Sequence, residues 1–264
     1  MNFKRVYAIF LRQILLLKKG HFRVVALFYW STLDLVLWGV LSGYLNRTAG
    51  TQLTFVSTLV GAVVLSSFFF RVVQGITVAF LEDVWMRNFM NLFASPLSIH
   101  EYMLGLVATS VFDTAVAISF MTFLAWVMFA YNIFHFGFLL VPFAAVLFMF
   151  GWAIGVFATA MVLRLGPSAE IFTWSIPALL TPFSAVFYPV SALPGVLRAI
   201  ARLIPNSYIF EGMRTAALGG VLDLQKLLVA FVLAAVYFLA SYVFLYFSYK
   251  KVLQRGLFAR FLTQ

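Results

Sequence analysis

Cysteine is absent from the 264 residues. That excludes disulfides, thiol nucleophiles and thiolate metal sites together, and leaves no marker of redox compartment. Charge is scarce as well: charged residues make up 10% of the chain, with 8 acidic against 18 basic. The three histidines, His21, His100 and His135, fall in separate segments, so no metal-ligand set is expected. No G-x-x-x-x-G-K-[ST] stretch occurs, which excludes a phosphate loop for a nucleotide. Polar stretches are short too. None runs much beyond about 30 residues, against the roughly 50 that a soluble domain needs.

What remains is apolar. Hydrophobic residues make up 64% of the chain and aromatics 19%, phenylalanine alone numbering 32; mean hydropathy is +1.03. These values define an integral membrane protein of the all-α class. The net charge of +10 does not point to nucleic acid, because the basic residues flank apolar spans, where topology accounts for them. Residues 1–22 hold an amphipathic interface helix, with Phe3, Val6, Tyr7, Phe10, Ile14 and Leu17 on one side and Lys4, Arg5, Arg12, Lys18 and Lys19 on the other. Such a helix lies among lipid head groups or docks a partner, and the cations interrupt any cleavable signal.

Six spans are expected, near 24–45, 53–80, 102–130, 138–163, 171–187 and 227–248. The second and third are longer than the roughly 30 Å hydrocarbon core requires. Asp34 and Asp113 lie within spans, and Arg71 either marks an exit or faces a polar interior. Each acid is either a functional group at membrane depth or a hydrogen-bonded acid at a helix interface. Gly151 and Gly155 have the G-x-x-x-G spacing of closely packed helices;. Pro177 and Pro182 break the fifth span;.

Between spans two and three, residues 81–97 predict a short amphipathic helix. Leu81, Val84, Trp85, Phe89, Leu92 and Phe93 form its stripe, Glu82, Asp83, Arg87 and Asn91 lie away from it, and Ser95 and Pro96 end it;. Ser98 and Glu101 then match a capping box opening span three;. Between spans five and six, residues 188–222 predict two short helices joined at Pro205, a re-entrant or interfacial hairpin that either shapes a pathway or caps the surface;. There Leu193, Val196, Leu197, Ile200 and Leu203 form one apolar stripe, Ile209, Phe210, Met213 and Ala217 another, and Glu211 and Arg214 are spaced i,i+3 for an ion pair;. Six spans put both termini on one side. That side would carry Lys4, Arg5, Arg12, Lys18, Lys19, Arg23, Arg87, Arg164, Lys250, Lys251, Arg255 and Arg260, most of the 18 cations, so it is expected to be cytoplasmic, with the proline hairpin outside.

This order of parts, with its local motifs, resembles the permeases of type 2 ABC exporters. The run from Glu82 to Pro96 followed by Ser98 and Glu101 is similar to the family's E…tP-x-s-x-x-E stretch. The run FYPVSALP…IPNSYIFEGMR, with Tyr188, Pro189, Pro194, Pro205, Asn206, Glu211 and Arg214, resembles its P-x-s-x-lP…nP-x-x-x-x-e-x-x-R signature. The order Ile204-Pro205-Asn206 departs from the Asn-Pro order of many members. The resemblance covers essentially the whole chain. It implies a non-catalytic permease of the inner membrane, paired with a second copy or a related permease and with two separate ATPase subunits that bind ATP and magnesium. It further implies that the 81–97 segment is a coupling helix contacting the ATPase through Glu82, Asp83, Arg87, Asn88, Ser95 and Pro96, helped by the N-terminal helix and a loop carrying Arg164 and Glu170. The hairpin would be an external gate. A glycan, a lipid-linked glycan, a lipid or a drug would each be an acceptable cargo. Two other readings stand beside it: a proton-coupled carrier with Asp34 and Asp113 as its relay, and a membrane-embedded lipid-modifying enzyme with Asp34, Asp113 and Glu211 as its acids.

Overall fold

The computed structural model describes residues 2–49 and 54–255. The start of the polar turn expected after span one extends α2, Gly50 to Gln52 lie outside the described residues, and so does Arg260 of the basic tail. The described residues are helical with no strand. In order, the helices are α1 (Phe3–Lys19), α2 (His21–Ala49), α3 (Thr54–Trp85), α4 (Phe89–Ala94), α5 (Ile99–Phe129), α6 (Leu140–Leu165), α7 (Ile171–Leu180), α8 (Gly195–Ala201), α9 (Pro205–Ala217) and α10 (Leu224–Gln254). Five of the helices are long and apolar enough to cross a membrane, within α2, α3, α5, α6 and α10.

Local chemistry sets the boundaries. Asn2 caps α1, its side chain accepting from the Lys4 amide;. Ser98 and Glu101 form both bonds of the expected capping box at the start of α5;. Asp223 accepts from the Gln225 and Lys226 amides to open α10. Pro205 sits in the first turn of α9, where its missing N–H costs nothing;.

The long helices have readable directions. Phe150 meets Tyr237 and Phe157 meets Phe244, so α6 and α10 run the same way. Val72 faces Gly151 and Ile76 faces Gly155, which makes α3 parallel to α6, with the two glycines admitting the close approach expected of their spacing;. Gly75 packs on Ser110 and Asp83 meets Tyr102, which sets α5 antiparallel to α3. One end of the bundle therefore gathers α1, α4 and the last turns of α3, α6 and α10; it is called the α1 end below. The chain leaves α6 there and enters α10 at the opposite end. Residues 171–222 thus travel the length of the bundle, although α7 has only 10 residues, roughly 15 Å of helix, about half a hydrocarbon core. Pro177 lies inside it, and Pro182 opens a single 3-10 turn, Thr181–Phe183, that ends it;.

Two expectations change. The amphipathic segment 81–97 is not one helix: α3 continues to Trp85, and Arg87 takes a left-handed φ of 54° before the six-residue α4 begins. Glu82 and Asp83 consequently belong to the last turn of a long helix. The apolar stripe of α8 is turned outward, with Val196 and Leu203 76% and 59% exposed and only Leu193 buried, so no partner for it is found among the described residues.

Candidate functional site

Three groups of residues invite a functional reading, one at each end of the bundle and one at mid-depth. At the α1 end the polar residues are paired and buried. Asp83, with no exposed surface, receives both terminal nitrogens of Arg12 from α1, one of them at 3.0 Å, and the Tyr102 hydroxyl of α5 at 2.8 Å. The hydrogen bond to Asp83 raises the Arg12 pKa above its ordinary value. Glu82 accepts from Arg23 of α2 at 2.7 Å, and Arg23 also donates to Gln13 of α1. Glu101 closes the same unit: besides the Ser98 amide it accepts from the backbone of Asn2 at 2.7 Å and from Arg5 at 3.4 Å. Around it Phe80, Phe89, Phe93 and Tyr102 pack edge to face;.

The residues expected to meet an ATPase therefore separate. Glu82 and Asp83 face inward to α1 and α2 and do not form an exposed polar face. The physical reason is the pull of Arg12 and Arg23, cations from helices remote in sequence that sit opposite the last turn of α3. Arg87, Ser95 and Pro96 are exposed and Asn88 half-buried. Glu170 accepts from the Trp85 indole at 2.9 Å, tying the turn after α6 to the end of α3. Arg164 stacks over Phe244 of α10, 5.7 Å from the ring centre. Trp85 and Met86, 53% and 62% exposed, complete an edge that mixes apolar and polar groups at the corner between α3 and α4. The positive φ at Arg87 that turns this corner leaves no mark in the sequence.

At the opposite end α9 is buried along Ile209, Phe210 and Met213, as its pattern predicts. The expected ion pair between Glu211 and Arg214 does not form; it is absent from the four ion pairs among the described residues. Each side chain instead holds the irregular backbone leading to α8. Glu211 accepts the Val190 amide at 3.0 Å, and Arg214 donates to the Ala185 carbonyl at 2.9 Å, where Ala185 has a left-handed φ of 57°. Burial lowers the Arg214 pKa below its ordinary value. Tyr188 donates to the Pro182 carbonyl at 2.6 Å. Pro189 and Pro194 lead into the turn at 190–192 and into α8, while Pro205 and Asn206 are buried at the start of α9.

Mid-depth charges form the third group. Asp34, Arg71 and Asp113 stand near the midpoints of α2, α3 and α5. Asp34 is exposed, whereas Arg71 and Asp113 retain 8% and 6% of their surface. Arg71 donates through Nε to Ser31 at 3.2 Å. Together with Arg23, Gln74, Trp30 and Trp174, Arg71 and Asp113 line a cavity of about 150 Å³. Arg71 thus faces a polar interior and does not mark the exit of span two. A larger groove of about 750 Å³, floored by α3 and walled by α5 and α6, is apolar, with Phe68, Trp126 and Phe148 in its lining;. The three groups place no nucleophile beside a base, and no set of side chains among the described residues could hold a metal.

A family model for the ABC-2 type transporter matches residues 5–218. The match spans most of the chain, from α1 through α9, and the chain belongs to this family: it is a transmembrane permease of an ABC transporter and a multi-pass membrane protein. Permeases of this family generally work with an ABC ATPase and leave catalysis to it. No curated protein matches the chain.

Proposed function

We propose that this chain is the permease of an ATP-driven exporter of the inner membrane, working as two copies with two copies of a separate ATPase that binds the ATP and magnesium. The observation that carries the reading is the fastening of α1, α2, α3 and α5 into one ion-paired unit at the end where α4 and the 164–170 turn also lie. A displacement applied to its exposed edge, from Trp85 to Asn88 and at Ser95 and Pro96, passes into α3 and α5 as a rigid-body movement. In this role α4 and the corner before it are the coupling element, and Arg87 and Glu170 are its outward polar contacts.

The α1 end is cytoplasmic on the distribution of lysine and arginine, with both termini on that side, and the broken segment 171–187 supplies the sixth crossing. Residues 188–222 then form the external gate, held shut by the bonds of Glu211 and Arg214 to the 185–190 backbone. Asp34 supports the second copy: an ionisable side chain exposed at the midpoint of a span is costly against lipid and calls for protein or water on that face. The cargo is amphipathic or hydrophobic and passes along this face.

Because the chain lacks cysteine, Asp34→Cys provides a unique thiol. In membranes containing the assembled transporter, its reaction with a membrane-impermeant maleimide changes with ATP. An unchanged rate, with a control thiol at an exposed end responding normally to reagent, contradicts the role.

A further inference from the structure

The cavity between α1, α2, α3, α5 and α7 holds two opposite charges that do not meet. Arg71 and Asp113 are each more than nine-tenths buried and both line it, yet no ion pair joins them among the described residues. Asp113 Oδ1 is buried with no hydrogen-bond partner. Arg71 commits Nε to Ser31, which leaves its terminal nitrogens for the cavity. The third charge of the lining, Arg23, is already matched by Glu82. An unpaired buried carboxylate and a half-used guanidinium at mid-depth are both costly. A group that presents an acceptor to one and a donor to the other removes both costs.

We propose that this cavity binds a small zwitterionic head group, an anionic group against Arg71 and a protonated amine against Asp113, carried by an amphiphile whose apolar part leaves between Trp30 and Trp174. A simple anion would sit beside the Asp113 carboxylate, and a simple cation beside Arg71. Only a group with both charges forms charge-assisted bonds at both ends. The volume, about 150 Å³, is that of an engineered cavity that takes one benzene, which suits a compact head group. Trp30 and Trp174, 59% and 48% exposed, place the opening at the bundle surface, where an amphiphile arrives from the bilayer. Gln74 adds an amide at the rim of the charged pair. The inference deepens the permease reading by naming a cargo chemistry, and it rests on that reading only for the word cargo.

The test uses the full chain in non-ionic maltoside micelles and three probes of equal acyl length: lysophosphatidylethanolamine, lysophosphatidylglycerol and monoacylglycerol. The expected order of affinity is the zwitterion first, then the anion, then the neutral lipid. Asp113→Asn weakens the ethanolamine probe roughly tenfold or more, as loss of one charge-assisted bond does, and strengthens the lysophosphatidylglycerol probe, whose anion no longer sits beside a carboxylate, whereas Arg71→Gln weakens both. Equal affinity of the wild-type chain for all three probes overturns the proposal whatever the variants do, including variants that fail to fold. In the assembled transporter, stimulation of ATP hydrolysis by the ethanolamine probe identifies a cargo, and binding without stimulation identifies a resident phospholipid; either supports the site. Because binding is read without ATP or partner, its failure leaves the permease reading standing, and failure of ATP coupling leaves the site standing.

Discussion

Arg12 in α1 and Asp83 in the last turn of α3, 71 residues apart, form a two-point guanidinium–carboxylate pair with the carboxylate fully buried. Removing the cation strands a buried charge. Arg12→Ala is expected to destabilise the protein by about 3–5 kcal/mol, read as a lowered thermal midpoint in detergent. Asp83→Asn costs less, because Arg12 is partly exposed and recovers water, and Arg12→Ala with Asp83→Asn recovers part of the single-variant loss. Additive effects would show that the pair is not coupled.

Reversing Glu82 and Asp83 together sets two new cations against Arg12 and Arg23. The expected outcome is loss of monodisperse protein, not a folded but uncoupled permease. Arg87→Gly makes the separation: it relieves a left-handed residue, worth roughly 1 kcal/mol, while deleting an outward charge. Unchanged or improved folding with reduced ATP coupling is expected, and a drop in stability would contradict the backbone account.

The helix contacts give a matched pair of substitutions. A β-carbon at Gly75 would lie 2.6 Å from Ser110 Cβ and 2.7 Å from its Cα, whereas one at Gly43 meets nothing within 4 Å. Gly75→Ala should cost about 1–3 kcal/mol by forcing α3 from α5. Gly43→Ala should be neutral or stabilising by up to about 1 kcal/mol, since alanine favours a helix. Equal melting temperatures for the two variants would refute the close approach.

Glu211 and Arg214 hydrogen-bond to backbone and not to each other. Each alanine substitution leaves buried loop groups unpaired, at about 1–3 kcal/mol. Exchanging the two side chains, Glu211→Arg with Arg214→Glu, is expected to rescue nothing, because the Val190 amide needs an acceptor and the Ala185 carbonyl a donor at fixed places. Recovery of stability or export by the exchange would restore the direct ion pair.

Features that depend on a few neighbouring residues were legible in advance: the Ser98 and Glu101 capping box, the close packing at Gly151 and Gly155, the helix start at Pro205 and the buried face of α9. The all-helical membrane class followed from composition. What failed depended on partners far along the chain. A polar face carrying Glu82 and Asp83 has the same sequence whether it meets water or cations from α1 and α2, and nothing near residue 83 announces Arg12. Arg87 carries no glycine to signal its left-handed turn, so the 81–97 pattern read as one helix. The i,i+3 spacing of Glu211 and Arg214 was correct as geometry, but the loop backbone at 185–190 competes for both groups and wins. Arg71 and Asp113 stood out as costly charges, although their shared cavity, with Trp30 and Trp174 at its mouth, required the packing of five helices.

The most direct test of the central claim is affinity purification of the intact chain from its native membranes in mild detergent, with identification and stoichiometry of everything that copurifies. The account predicts an ATPase with a phosphate loop, recovered one to one with this chain and lost on Arg87 and Glu170 substitution. A chain recovered alone, under conditions that preserve a known complex, and active on a proton gradient without ATP, would contradict it.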